Sequence, residues 1–256
     1  MQGLKDKVFI VTGGGSGIGA ATVSRLLAEG ARVAAAGTRP EGLARTRATA
    51  GAAADNLLTV RFDLRDEDSI GSLVAQTVDG FGRLDGVANV AAGVVPGLID
   101  QDDGVENLDV DLWAEVLRIN LIGTGLVIRE SLPAIVAAGG GSIVNVSSAA
   151  AWLGETTRPA YGASKIDLHS LTRHTARAWG HENVRCNAVA PGKVLSDKGM
   201  TTTPQGYNQA MLDRMCLPRL GQPQDLASML AFLLSDESSW ITGQILSVDG
   251  GLMLRE

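Results

Sequence analysis

Two residues with complementary acid–base chemistry, Tyr161 and Lys165, stand four positions apart in a stretch whose periodicity predicts a helix. Side chains at this spacing share one helix face, so the lysine ammonium would favour the ionised form of the phenol. A tyrosine, whose ordinary pKa is about 10, becomes a plausible acid or base near neutral pH in such a setting. Ser148 follows a predicted strand and is a candidate to hydrogen-bond the same substrate oxygen. The alternative is an ordinary exposed pair near an unrelated serine, because so short a pattern recurs by chance.

A glycine cluster near the start of the chain indicates an anion-binding turn. It follows an apolar run, Val8 to Thr12, and precedes a stretch with helical periodicity, Ala20 to Glu29. Glycines let backbone N–H groups approach an anion, and the following helix aims its positive end at it, so the turn suits a pyrophosphate. The spacing Gly13-x3-Gly17-x-Gly19 lacks the lysine of an ATP-binding loop. A glycine turn without a ligand is the alternative.

The elements that must position these groups alternate along the chain. Strands are predicted over 8–12, 32–36, 57–62, 84–88, 142–146, 184–189 and 245–248, and helices over 20–29, 41–53, 66–81, 112–138, 161–179 and 225–234. This alternation predicts an α/β fold, a Rossmann-type doubly wound parallel sheet with helices on both faces, in one domain over 1–256. Ligands of such sheets bind beyond the carboxyl ends of the strands, so the site is sought just after each strand.

Composition narrows the classes of function. The 256 residues carry a formal charge of −6 and no basic tract, which argues against nucleic acid and anionic membranes as partners. No apolar run is expected to span a membrane, and Cys186 and Cys216 are expected to be reduced thiols, so a cytoplasmic location is predicted. The acidic run from Asp100 to Asp111 is interpreted as a solvated loop. The three histidines lack partners at metal-binding spacing, so no metal site is predicted.

Taken together, the motifs resemble the short-chain dehydrogenase/reductase family in its single-domain form. They run in the family's order over nearly the whole chain: Thr12-Gly13-x3-Gly17-Ile18-Gly19, Asp63, Asn89-Val90-Ala91-Ala92-Gly93, Asn120, Ser148, Tyr161-x3-Lys165, Asn187, Pro191-Gly192, Ile241-Thr242-Gly243-Gln244 and Val248-Asp249-Gly250-Gly251. The resemblance implies a hydride transfer between a nicotinamide cofactor and a carbonyl carbon.

The same resemblance implies roles for individual residues. Tyr161 would move the proton of the substrate oxygen, Ser148 would orient that oxygen, and Lys165 would bind the nicotinamide ribose and lower the tyrosine pKa. Asn120 would anchor a water relay to solvent. Cofactor contacts are expected from Gly13, Gly15, Ser16, Gly17, Ile18, Gly19, Gly37, Thr38, Arg39, Asp63, Leu64, Asn89, Ala91, Tyr161, Lys165, Pro191, Gly192, Val194 and Ser196. Substrate contacts are expected from Ser148, Tyr161 and Trp152, beneath a covering segment at about 194–218.

Departures from the family's pattern bear on the cofactor. The usual Asn-Asn-Ala-Gly is Asn89-Val90-Ala91-Ala92 here, and Ser196 replaces a threonine. The carboxylate that accepts the ribose hydroxyls of NAD would stand at Gly37, and it is followed by Thr38 and Arg39, which suit a phosphate. NADP is therefore favoured over NAD. Ser16 stands where family members that prefer NADP often carry a basic residue, which weakens the preference.

Two classes of function remain in view. The leading one is an NAD(P)-dependent reductase or dehydrogenase, a homotetramer acting on a largely apolar ketone or secondary alcohol, with a 3-oxoacyl thioester as the alternative substrate. The apolar substrate is expected from Trp152 and Leu153 and from a Met-rich segment. The other class is a dinucleotide-sensing protein without chemistry, since a fold alone does not establish a function. The presence of Ser148, Tyr161, Lys165 and Asn120 together favours the enzyme.

Overall fold

The architecture is taken from a computed structural model, which describes residues 1–93, 99–195 and 206–254. Within these residues, seven strands form one parallel sheet in the order β3-β2-β1-β4-β5-β6-β7. The strands are β1 (Val8–Thr12), β2 (Arg32–Gly37), β3 (Leu57–Arg61), β4 (Gly86–Asn89), β5 (Gly141–Val146), β6 (Val184–Pro191) and β7 (Ile245–Val248). The predicted doubly wound sheet is confirmed, with each predicted strand within three residues of its observed ends.

Helices cover both faces of the sheet. In the described ranges they are α1 (Gly17–Ala28), α2 (Pro40–Thr49), α3 (Glu67–Phe81), α4 (Val110–Leu117), α5 (Thr124–Ala137), α6 (Ala150–Leu153), α7 (Pro159–Trp179), α8 (Tyr207–Leu212) and α9 (Pro223–Leu234). One apolar core packs α3, α5 and α7 on the first face, and another packs α1 and α9 on the second. Because both faces are covered, β1 is buried along its whole length and is continuously apolar up to Thr12.

The prediction of one long helix from Leu112 to Ala138 is wrong, because the helix is interrupted. A π-helix, Arg118–Gly123, separates α4 from α5 and contains Asn120. Widened turns of this kind occur mostly as single insertions in α-helices and often at functional sites. The composite run Val110–Ala137 is long and apolar enough to cross a membrane, which the sequence reading did not expect, but half of its most apolar stretch is buried within the fold. Length and composition alone do not separate such a span from the core helix of a globular protein.

Three further elements differ from the predictions. The second predicted helix ends at Thr49, and a 3₁₀ helix, Gly51–Asn56, follows it. The short helices α6 and α8 were not predicted, because four to six residues carry too little periodicity to be recognised. Residues 94–98, 196–205 and 255–256, including Ser196, lie outside the described part of the chain.

Candidate active site

The carboxyl ends of the central strands bring the predicted catalytic side chains together. Ser148 follows β5, where the backbone N–H groups of Ser147 and Ala149 continue the pairing to β6 by donating to the carbonyls of Val189 and Pro191, at 2.8 Å each. This pairing holds Ser148 in the crevice beyond the strand end. Its Oγ accepts a hydrogen bond from the N–H of Ala150 at 3.2 Å and is hydrogen-bonded to the side chain of Tyr161. The predicted meeting of serine and tyrosine is therefore present in the structure.

The predicted catalytic lysine lies close to the ring of Tyr161. Lys165 is buried, and its Nζ donates to the carbonyl oxygen of Val146 at 2.9 Å and lies 5.7 Å from the centre of the Tyr161 ring. Burial lowers the pKa of Lys165 from 10.5 to about 8, because the low-dielectric interior disfavours the ammonium.

The pKa of Tyr161 moves opposite to the expected direction. Burial raises it, while the hydrogen bond from Ser148 and the positive charge of Arg158 act to lower it without reversing the effect. The pattern Tyr-x3-Lys indicated a lowered pKa because it carries no information on desolvation, which is the largest contribution here. By themselves, the groups of this chain therefore hold Tyr161 as the neutral phenol, ready to donate a proton.

Asn120 is buried at the centre of the π-helix. Its Oδ1 accepts from the N–H of Gly93 at 2.7 Å, and its Nδ2 donates to Ser164 Oγ at 3.0 Å. Ser164 in turn donates to the backbone carbonyl of Tyr161 at 2.8 Å. The side chain of Asn120 thus joins the loop after β4 to the helix that carries the tyrosine. Its predicted role in a water relay stays a prediction.

The glycine turn fits a dinucleotide phosphate. Gly13 and Gly17 have φ angles of 72° and 51°, which few other residues adopt, and a Cβ on Gly19 would overlap the carbonyl oxygen of Gly13. Ser16, exposed at the start of α1, makes no side-chain capping hydrogen bond, so the first N–H groups of the helix can receive an anion. Gly15 packs against Gly42 of α2, and Ile18 packs against the core under α1.

The loop after β4 completes this cradle. Thr12 Oγ1 accepts from the N–H groups of Val90 and Ala91 at 3.0 and 3.1 Å, which fixes the unusual Val90-Ala91-Ala92 backbone against β1. Asn89 is buried and donates from Nδ2 to Asn145 Oδ1 at 2.9 Å. Its Oδ1 is buried without a hydrogen-bond partner among the described residues, as expected of a group that receives a ligand hydroxyl. The residues present therefore fit the adenosine end of a nicotinamide cofactor.

Other predicted cofactor residues lie along the same edge. Thr38 and Arg39 are exposed after β2, and Gly37 has room for a side chain, since an added Cβ would approach nothing closer than 3.7 Å. Asp63 accepts from the N–H of Arg65 at 2.9 Å and is partly exposed, and Leu64 packs against Gly123 of the π-helix.

At the other end of the cleft, three predicted contacts follow β6. Pro191 ends that strand, Gly192 packs closely on Asp249, and Val194 makes an isolated bridge to Gly221. Their positions place them beside the crevice, and their contacts to a cofactor stay predictions.

Trp152 lies on α6, close to Ser148 in sequence, but its ring packs against His169 with the ring centres 4.6 Å apart. His169 is buried and shares a 2.8 Å hydrogen bond with Ser147. The contact of Trp152 with a substrate stays a prediction.

A charged group beside Tyr161 was missed by the sequence analysis. Arg158 forms an ion pair with Glu155 and donates to the hydroxyl of Tyr207 at 3.5 Å. Although burial opposes it, Glu155 and Tyr207 keep the pKa of Arg158 above its ordinary value. Lys193 lies 5.1 Å from the centre of the Tyr207 ring. Glu155 and Arg158 are three residues apart in the sequence, but only the fold brings Lys193 and Tyr207 to them.

Fold and site together define a Rossmann-type oxidoreductase with a serine, a tyrosine and a lysine at the crevice. A family model described as enoyl-(acyl carrier protein) reductase matches residues 13–253. Among curated relatives, 7alpha-hydroxysteroid dehydrogenase of Bacteroides fragilis is 34% identical over 254 residues, covering 99% of this chain and 97% of the relative. The 3-oxoacyl-[acyl-carrier-protein] reductase FabG of Thermotoga maritima is 34% identical over 252 residues, covering 98% and 99%.

A solved structure of a short-chain type dehydrogenase/reductase from Mycobacterium ulcerans superposes with a TM-score of 0.92 at 33% identity, covering all of this chain and 92% of that one. The chain belongs to the short-chain dehydrogenase/reductase family. It is an NAD(P)-dependent oxidoreductase that transfers a hydride between the cofactor and a hydroxy or keto substrate, as the sequence analysis predicted.

Proposed function

We propose that the enzyme reduces a largely apolar ketone, or oxidises the corresponding secondary alcohol, with Tyr161 as the group that moves the proton. The observation that carries this proposal is the partly buried residue Tyr161, whose hydroxyl is hydrogen-bonded to Ser148 beside the buried Lys165 at the strand ends. A bound nicotinamide supplies or accepts the hydride. Ser148 would hydrogen-bond the substrate oxygen, and Tyr161, held neutral by burial, would donate its proton to that oxygen in the reductive direction.

Two lysine contacts matter for this chemistry. Lys165 reaches the backbone of β5 through Val146 and lies beside the tyrosine ring. An ammonium at this place would stabilise the phenolate left after proton donation, and it can also hydrogen-bond a ribose hydroxyl of the cofactor. Asn120 is proposed to anchor the water relay to solvent through which Tyr161 recovers its proton after each turnover.

The substrate class rests on two supports. Trp152 and Leu153 lie on the helix that follows Ser148, and the similar dehydrogenase of Bacteroides fragilis is named for a hydroxysteroid, an apolar cyclic alcohol. The 3-oxoacyl thioester is the second candidate, because the similar FabG is named for that activity. The net charge of −6 disfavours an acidic carrier protein.

A panel assay tests the substrate class. Cyclic, aromatic and steroid ketones, the matching secondary alcohols and a carrier-bound 3-oxoacyl thioester are each incubated with NADH, NADPH or the oxidised forms, and the absorbance of the reduced nicotinamide is followed. Turnover of cyclic ketones supports the proposal. Turnover of the thioester without activity on cyclic or aromatic ketones would reverse the order of the two candidates.

NADP is proposed as the preferred cofactor. The support is the absence of a carboxylate at Gly37 and the exposed guanidinium of Arg39, which in the described part of the chain forms no ion pair. A guanidinium at this edge can bind the extra phosphate of NADP in a bidentate manner. Fluorescence titration with both reduced cofactors tests it, and tighter binding of NADH would contradict it.

A homotetramer in the cytoplasm, without nucleic-acid or membrane partners, is also proposed. Val110, Ile122 and Ile166 are exposed apolar side chains on α4, the π-helix and α7, elements that contact one another, and together they are proposed as an apolar strip outside the core. Light scattering is expected to give the mass of four chains. A monomer at micromolar concentration would show that this strip is not a subunit contact.

A further inference from the structure

Helix α7, which carries Tyr161 and Lys165, begins without a cap of its own. The residue at its N-cap position is Arg158, whose side chain makes no capping hydrogen bond and whose φ angle is 66°. The first N–H groups of any helix lack partners within the helix and need acceptors from elsewhere. Ala160, the second residue of the helix, is fully buried, so the acceptor for its N–H has to come from the protein.

Asp102 supplies that acceptor from a different part of the chain. Its carboxylate accepts from the N–H of Ala160 at 3.1 Å through Oδ1 and from the N–H of Tyr161 at 2.8 Å through Oδ2. Its backbone carbonyl accepts from the N–H of Arg158 at 2.7 Å. Asp102 is 3% exposed, although it belongs to the acidic run that the sequence analysis interpreted as a solvated loop. For this residue the interpretation is wrong.

The opposite side of the Tyr161 backbone is held as well. Its carbonyl accepts from Ser164 Oγ, which is itself held by Asn120. The N–H and the carbonyl of Tyr161 are therefore both bonded to buried side chains, and Asp102 is the partner of the N–H. No other charged side chain among the described residues makes these contacts to the start of α7.

We infer that Asp102 is a positioning residue for the reaction and acts through Tyr161 by fixing the first turn of α7 in the crevice. The inference rests on the proposed role of Tyr161. Tyr161 is only the third residue of the helix, so fraying of this turn would move its hydroxyl away from Ser148. A displacement of about 1 Å can cost about 100-fold in rate, because proton donation requires hydrogen-bond distance.

Substitution of Asp102 tests the inference. In Asp102→Ala the turn loses both side-chain acceptors, and kcat is expected to fall about 10- to 100-fold while the KM for the cofactor changes less than about threefold. Asp102→Asn has nearly the same shape and retains one acceptor oxygen, so it should fold if the alanine variant does not, and its kcat should lie between those of the alanine variant and the wild type.

Asp66→Ala is the matched control. Asp66 caps α3 through the N–H of Asp68 at 3.1 Å, and that helix carries no predicted site residue. The control is expected to lose thermal stability with kcat unchanged. If Asp102 only stabilised the fold, its variants would also lose thermal stability with kcat unchanged. A kcat within about twofold of wild type in both Asp102 variants would therefore overturn the inference.

Two further readouts separate positioning from stability. The hydrogen bond from Ser148 lowers the pKa of Tyr161, and this bond should be lost in Asp102→Ala. The rate of alcohol oxidation increases with pH as Tyr161 ionises, so in Asp102→Ala this increase should occur at a higher pH than in the wild type. Asp66→Ala should leave the pH profile unchanged. In a Tyr161→Phe background, Asp102→Ala should reduce kcat by less than about twofold, because residues acting as a unit are not additive. Additive losses would contradict action through Tyr161. Near-normal turnover of Tyr161→Phe alone would instead refute the proposed function, whatever the result at Asp102.

Discussion

The burial of Lys165 makes a stability prediction that needs no substrate. The side chain is 2% exposed, its Nζ has a backbone carbonyl at 2.9 Å, and burial lowers its pKa from 10.5 to about 8. We predict that Lys165→Met, which keeps the length of the side chain and removes the charge, stabilises the fold at neutral pH while it abolishes activity. Sites that hold a charge for function commonly do so at the expense of stability.

The size and sign of this change in the free energy of unfolding follow from the linkage between protonation and folding. A pKa difference of about 2.5 between unfolded and folded chain corresponds to about 3 kcal/mol of unfavourable free energy at pH 7, where both states are protonated. Losing the hydrogen bond to Val146 offsets about 1 kcal/mol, which leaves a gain of about 2 kcal/mol. Between about pH 8 and pH 10.5 the unfolded wild-type chain binds the extra proton, so the stability contributed by this lysine rises with pH and the advantage of the variant disappears.

Urea unfolding of wild type and Lys165→Met at about pH 7 and about pH 10 measures this difference. Lys5→Met serves as the control, because Lys5 is exposed and its replacement should change stability by less than about 0.5 kcal/mol at either pH. A variant that is less stable than wild type at pH 7, or an advantage that does not shrink as the pH rises, would refute the reasoning from burial.

Two remaining predictions concern the cofactor. Gly19→Ala should reduce affinity for both reduced cofactors at least 10-fold, because its methyl group would overlap the carbonyl of Gly13 and displace the turn. The control Gly71→Ala, whose added methyl would have no neighbour nearer than 4.0 Å, should bind the cofactors normally and gain up to about 1 kcal/mol in stability. Normal binding of the cofactors by Gly19→Ala in the titration would contradict this prediction. Gly37→Asp should fold normally, because an added Cβ would meet its neighbours only at ordinary contact distances of 3.7 Å or more. It should weaken NADPH binding by about 2 kcal/mol relative to NADH, and Arg39→Ala should do so to a smaller extent. Unchanged relative affinities in both variants would show that this edge does not meet the phosphate.

The sheet could be predicted from the sequence because its central strands are buried on both faces and are largely apolar, as in Val8–Thr12. Parallel strands place their carboxyl ends at one edge, so the meeting of Ser148 with Tyr161 followed from the order of elements. The interruption of the helix at Arg118–Gly123 did not follow, since one inserted residue barely changes the apolar pattern.

What the sequence could not indicate depends on burial. Asp102 stands among exposed acidic residues, and only the packing of its loop against α7 distinguishes it from them. The direction of the Tyr161 pKa is a second case, because the spacing to Lys165 is visible in the sequence and the loss of solvent around the phenol is not.

The central claim is that Tyr161 moves the proton, and Tyr161→Phe tests it most directly. The variant keeps the ring and removes only the hydroxyl. With a substrate found in the panel, steady-state turnover followed by nicotinamide absorbance should fall at least about 100-fold, while the affinity for the reduced cofactor in fluorescence titration should stay within about threefold of wild type. Turnover of Tyr161→Phe close to that of the wild type would contradict the account.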